Sequence, residues 1–121
     1  MEKEIRILIL EDVPARAALM EFELRRAEIP FISKTVKTRN DFVRELHDFA
    51  PDVILSAYYL PAFTGSEALA IAQEEAVHVP FILVTGELGE EHSVEILKKG
   101  AAYVLKDNLS KLPSILLRAL R

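Results

Sequence analysis

The chain has 121 residues, 50% of them hydrophobic and 28% charged, a size that suits one domain with one sizeable core and is too short for two. It contains no Cys, which removes disulfide scaffolds, thiolate zinc sites, iron–sulfur clusters and thiol catalysis together. A formal net charge of −4 disfavours broad nucleic-acid binding, and the short apolar runs behind Glu2, Lys3 and Glu4 make neither a signal-peptide core nor a membrane span, so a soluble cytoplasmic protein is expected.

Ile5 to Leu10 is a nearly unbroken aliphatic run, the pattern of a central strand covered on both faces, and it stops at Glu11 and Asp12. Pro14 stands where a first helical turn tolerates it, and Ala17, Met20, Leu24 and Ala27 recur at helical spacing until Pro30. Phe31 to Val36 reads as a more polar strand nearer an edge. Thr38 with Asp41 resembles a capping box in which Asp replaces Glu, and Phe42, Leu46 and Phe49 mark one face of a second helix that Pro51 ends. Val53 to Ser56 is the third strand. After a loop with Pro61 and Gly65, Thr64 and Glu67 form a capping-box pair that opens an alanine-rich helix to about Glu75.

Pro80 restarts the chain as the strand Phe81 to Thr85. A fourth helix is expected from about Glu90 and Glu91, whose charges suit the positive end of its dipole, to a stop at Gly100 behind Lys98 and Lys99. Tyr103 to Lys106 is the expected fifth strand, and Leu112 to Leu120 a final helix with Pro113 in its first turn. Strands alternating with helices predict an α/β domain with a mostly parallel sheet, one (βα)5 unit using the whole chain without repeat or linker.

In a doubly wound sheet, ligands bind beyond the carboxyl ends of the strands, at the point where strand order reverses. Glu11 and Asp12 follow the first strand, Ala57 the third, and the fourth and fifth end at Thr85 and Lys106. Adjacent carboxylates supply the oxygen ligands that a hard cation such as Mg2+ takes, and a lysine with a hydroxyl opposite offsets the charge of a transferring phosphoryl group. Taken singly, each is ordinary: a solvated acidic turn, a surface lysine, a strand threonine. Their joint placement on successive strand ends is what points to a site. His47, His78 and His92 lack metal-ligand spacing and read as surface residues, and no Walker loop, dinucleotide fingerprint or nucleophile elbow is present.

The stretches Ile7-Leu8-Ile9-Leu10-Glu11-Asp12, Pro51 to Pro61, Pro80 to Gly86 and Tyr103-Val104-Leu105-Lys106, in that order, make the chain resemble a response-regulator receiver domain, the phosphoacceptor module of two-component signalling. The resemblance covers essentially the whole chain. It implies a doubly wound, flavodoxin-like three-layer sandwich with parallel strand order 2-1-3-4-5, in a single receiver domain without an output domain. It also implies that Asp12, helped by Glu11 and the backbone carbonyl of Tyr59, holds Mg2+, that Thr85 and Lys106 meet the phosphoryl group, and that Thr85 and Tyr103 act as the switch pair. The implied partners are a histidine kinase or phosphotransfer protein, and a homodimer through the fourth helix, fifth strand and fifth helix; neither nucleic acid nor membrane is expected.

The family places its nucleophilic Asp four residues before Pro61, and that position is Ala57. A methyl group attacks neither phosphohistidine nor acetyl phosphate, so the expected role is a receiver disabled for phosphorylation rather than an enzyme. Retention of Glu11, Asp12, Thr85 and Lys106 favours a laboratory substitution; the alternative is a natural pseudo-receiver working as a phosphate-independent interaction adaptor. A flavodoxin-like cofactor binder is a third reading, opposed by Glu11 and Asp12, which would repel a phosphate lacking a metal. With one carboxylate fewer, Mg2+ should bind more weakly, and Lys106 is expected to pair with Asp12 in the metal-free protein. Asp107 stands where most receivers carry Pro, so a trans Lys106–Asp107 bond is expected.

Overall fold

A computed structural model describes residues 3–86 and 97–121. Five parallel strands, β1 (Ile5–Leu10), β2 (Phe31–Val36), β3 (Val53–Ser56), β4 (Phe81–Thr85) and β5 (Ala102–Leu105), form one sheet in the order β2-β1-β3-β4-β5. Helices α1 (Pro14–Arg26), α2 (Arg39–Asp48) and α3 (Gly65–Glu75) and a C-terminal helix (Leu112–Ala119) cover it. The fold is the expected doubly wound, flavodoxin-like α/β sandwich. The expected fourth helix lies mostly outside the described residues, as does His92; His47 and His78 are exposed.

Because every central strand is covered on both faces, its alternating side chains feed two separate cores. Leu8, Leu10, Ile54, Phe81 and Leu83 pack with Phe42 and Leu46 of α2 and Leu69 of α3. Ile7, Ile9, Val53, Leu55, Ile82 and Val84 pack on the other side with Met20 and Leu24 of α1 and with Leu112 and Leu116. Each fully buried aliphatic side chain contributes about 1.5–3 kcal/mol, which makes this double core the main stabilising term. The polar strand β2 occupies an edge, as its composition predicts.

The local signals differ in how fully they are realised. Thr64 and Glu67 form both halves of the capping box at α3. At α2 only half forms: the Asp41 N–H donates to Thr38 Oγ1 at 3.1 Å, while the Asp41 carboxylate turns to Arg44 at 2.8 Å. Asp is one methylene shorter than Glu, which disfavours the return contact. Helix α1 stops at Arg26, earlier than Ala27, because Glu28 takes φ +60° and Ile29 N–H donates back to the Leu24 carbonyl at 3.2 Å.

The last segment corrects the expected boundaries. Strand β5 covers Ala102–Leu105, one residue earlier than Tyr103 to Lys106, and Lys106 opens a 3-10 turn, Lys106–Lys111, ahead of the C-terminal helix, which ends at Ala119. Leu105 is still extended and paired with Thr85, whereas the tighter turn begins at Lys106. No cis peptide bond occurs among the described residues, so Lys106–Asp107 is trans.

Candidate functional site

Strand register gathers the carboxyl ends. Leu10 pairs with Ser56 and Ser56 with Leu83, while Thr85 pairs with Leu105. Glu11 and Asp12 therefore leave β1 beside Ala57, whose N–H donates to the Leu10 carbonyl at 2.9 Å, and Lys106 follows directly on the partner of Thr85. Ala57 and Thr85 are buried, Asp12 and Lys106 half-buried.

Glu11 is 2% exposed. Its Oε1 accepts from the Val13 N–H at 3.1 Å, and its Oε2 is buried without a hydrogen-bond partner among the described residues. Burial pushes the Glu11 carboxyl above its ordinary value. The Val13 N–H opposes that rise, the neighbouring Asp12 carboxylate adds to it, and Lys106 draws it down. Glu11, Asp12 and Lys106 thus share one electrostatic neighbourhood. The expected Lys106–Asp12 ion pair is absent among the described ion pairs; the influence of Lys106 falls on Glu11.

A cleft of about 460 Å³ opens beside these groups, lined by Glu11, Asp12, Pro14, Thr35, Lys37 and Asp41 among others. A larger cleft, about 610 Å³, lies at the opposite, amino ends of β4 and β5 near Val77, Pro80 and Ala101, and has no carboxylate in its lining. Size does not mark the site here; convergent charge does.

The donor chemistry fits a hard divalent cation in part. Glu11 brings an unpartnered buried oxygen and Asp12 a second carboxylate, while Ala57 brings no side-chain oxygen. Among the described residues no three acidic or histidine side chains gather as a metal cage. A cation that keeps several of its waters needs only one or two protein carboxylates.

The loop after Ala57 is positioned by contacts that the sequence pattern missed. Gly65 N–H donates to the Tyr58 carbonyl at 2.6 Å, and Tyr59 bridges Thr64, so the chain folds back on itself. Tyr59 is 67% exposed and its ring meets Tyr58 edge-on, with centroids 4.7 Å apart. Ser56 Oγ donates to the Ala57 carbonyl at 2.8 Å. Gly65 looked like a loop breaker; its position directly behind the Thr64 cap was the available signal. Tyr103, half-buried on β5, packs against the core cluster that includes Phe81 and Leu83.

The family described as the response regulator receiver domain matches residues 7–116. The chain belongs to this family. The receiver domain is similar in structure to a signal receiver domain from Vibrio parahaemolyticus, with 22% identity, a TM-score of 0.87 and coverage of 98% of this chain and 91% of that one. It is likewise similar to a CheY-like response regulator receiver domain protein from Methanospirillum hungatei, at 26% identity, TM-score 0.82 and coverage of 98% and 94%. The response regulator domain of Thermotoga maritima CheB aligns at 22% identity, TM-score 0.78 and coverage of 98% and 95%. No curated protein matches the receiver domain by sequence. No helix among its described residues is long and apolar enough to cross a membrane.

Proposed function

We propose that this receiver domain engages a histidine kinase or phosphotransfer protein in a phosphorelay but is not phosphorylated at position 57. The observation that carries the reading is the buried methyl of Ala57 at the end of β3, between the carboxylates that follow β1 and the hydroxyl that ends β4. Attack on a phosphohistidine needs a carboxylate oxygen at that point, and none is available from the side chain.

The remaining residues keep roles suited to phosphoryl chemistry. Asp12 and Glu11, with the Tyr59 carbonyl, would hold Mg2+, which when bound offsets negative charge on a phosphoryl group. The Thr85 hydroxyl would donate to a phosphoryl oxygen and the Lys106 ammonium would pair with another. Tyr103 would follow Thr85 as the aromatic of the switch pair. Work with such a kinase implies a cytoplasmic setting, and the net charge of −4 suits a protein partner better than nucleic acid.

Retention of the whole supporting set favours a substituted acceptor over a domain that never used phosphate. Incubating Ala57→Asp with acetyl phosphate, or with beryllofluoride, in the presence of Mg2+ tests this. A Mg2+-dependent adduct in that variant, absent from the parent chain, is the expected result. Failure to form one would assign the chain instead to phosphate-independent adaptors of the same fold.

A further inference from the structure

Helix α1 is apolar on two faces. Ala17, Met20 and Leu24 are buried against the sheet. On the opposite side Ala15, Ala18, Leu19 and Phe22 recur at i, i+3, i+4 and i+7, and all four are exposed, Leu19 at 56% and Phe22 at 49%. A helix on the surface of a lone domain carries polar residues on that side. This one carries an apolar seam at the spacing that receives another helix.

The order of sizes along the seam selects the other helix. The two small residues come first and the two large ones last. Antiparallel pairing of two copies, about a two-fold axis between Ala18 and Leu19, sets Ala15 against Phe22 of the second copy and Ala18 against its Leu19. Each large side chain then faces a small one, which is how facing layers interdigitate without voids. Parallel pairing would set small on small at one end and large on large at the other.

Charge points the same way. One flank of the seam is engaged with β2: Ser33 Oγ donates to Glu21 at 2.6 Å, and the Arg25 guanidinium lies 5.5 Å from the centroid of the Phe31 ring. The other flank carries exposed Arg16 and, seven residues on, the half-buried Glu23, whose Oε1 lies 3.9 Å from Arg26 Nε of the same helix and whose second oxygen is left for a further cation. Antiparallel helices bring like flanks together, so Arg16 of each copy meets Glu23 of the other with an offset of only about 3 Å along the axis.

We propose that the outer face of α1 is a self-association surface through which two copies of this receiver domain pair antiparallel. A single helix face falls short of the roughly 1,200 Å² buried in stable complexes, so the dimer is weak and reversible. Pro14 begins α1 two residues beyond Asp12, and a second copy on this face therefore crowds the approach to the strand-end site. Self-association and docking of a protein phosphodonor compete, whatever residue stands at position 57.

The absence of native Cys makes single cysteines clean reporters. Under mild oxidation, Ala15→Cys mixed with Phe22→Cys is expected to give the mixed disulfide. Phe22→Cys alone should not, because the two copies of that position lie about 10 Å apart along the axis. Sedimentation equilibrium of the unmodified chain should show a reversible dimer that Leu19→Glu abolishes. Arg16→Glu should weaken it and Arg16→Glu with Glu23→Arg restore it, circular dichroism showing each variant folded. Cross-linking of Phe22→Cys to itself, or through Leu117→Cys on the C-terminal helix, would overturn the proposal. So would a chain that stays monomeric up to about 1 mM, whether or not it captures a histidine-bearing helical bundle through Leu19.

Discussion

A Cβ placed on Gly65 would stand 2.8 Å from the carbonyl oxygen of Ala57, 2.9 Å from the Cα of Tyr58 and 2.7 Å from Leu83 Cδ1. Two of the three neighbours are backbone and cannot swing away. Gly65→Ala should therefore displace the chain at Ala57 and Tyr58 and destabilise the fold by about 1–3 kcal/mol, the usual range for overpacking. Urea denaturation measures the loss, and an unchanged midpoint would show that the loop absorbs a methyl group.

With no cation bound, Glu11 should be a source of pH-dependent instability. Its carboxyl is raised above the ordinary 4.5 by burial. A carboxyl with a raised folded-state value binds protons more readily when folded than when unfolded, so its contribution is fully present below the ordinary value and is lost as pH rises through the raised one. Metal-free Glu11→Gln should be more stable than the parent at pH 7 and should lack this decline. Thermal melting in a chelator across pH 4 to 8 compares the two; parallel curves would contradict the assignment.

A carboxylate introduced at position 57 should strengthen the cation site proposed for Glu11 and Asp12. Ala57→Asp adds a third carboxylate where Glu11 and Asp12 already lie, and Mg2+ affinity should rise by about tenfold or more, since each tenfold requires only ~1.4 kcal/mol. Calorimetric titration of the two proteins reads the difference. Equal affinities would mean that position 57 does not reach the metal.

Glu45 offers a test away from the site. It is 4% exposed on α2, with Lys34 Nζ of β2 at 3.1 Å, Arg44 Nε at 3.5 Å, and its Oε1 without a hydrogen-bond partner among the described residues. Lys34→Met strips a half-exposed cation from a buried carboxylate and should destabilise by about 1–2 kcal/mol; Lys34→Met with Glu45→Met should recover most of that. A double variant no more stable than the single one would show that the charge was never the difficulty.

Much of this architecture could be read from the chain because its signals are local. The aliphatic run Ile5 to Leu10, the box at Thr64 and Glu67, and the breaks at Pro30, Pro51 and Pro80 each depend on residues a few positions apart, and β1 to β4 fall where those signals put them. The end of β5 was not legible in the same way. Nothing in Leu105-Lys106-Asp107 distinguishes an extended lysine from one that opens a 3-10 turn.

The sequence by itself determined the family and the alternation of strands and helices, since both are written in residue types and their order. Tertiary structure decided which of those residues meet. It buried Glu11 with one oxygen unpartnered among the described residues, brought the Lys106 charge to bear on Glu11, and pressed Gly65 against the Ala57 carbonyl. Those relationships join positions far apart in the chain, and desolvation and steric exclusion act only once the strands stand side by side.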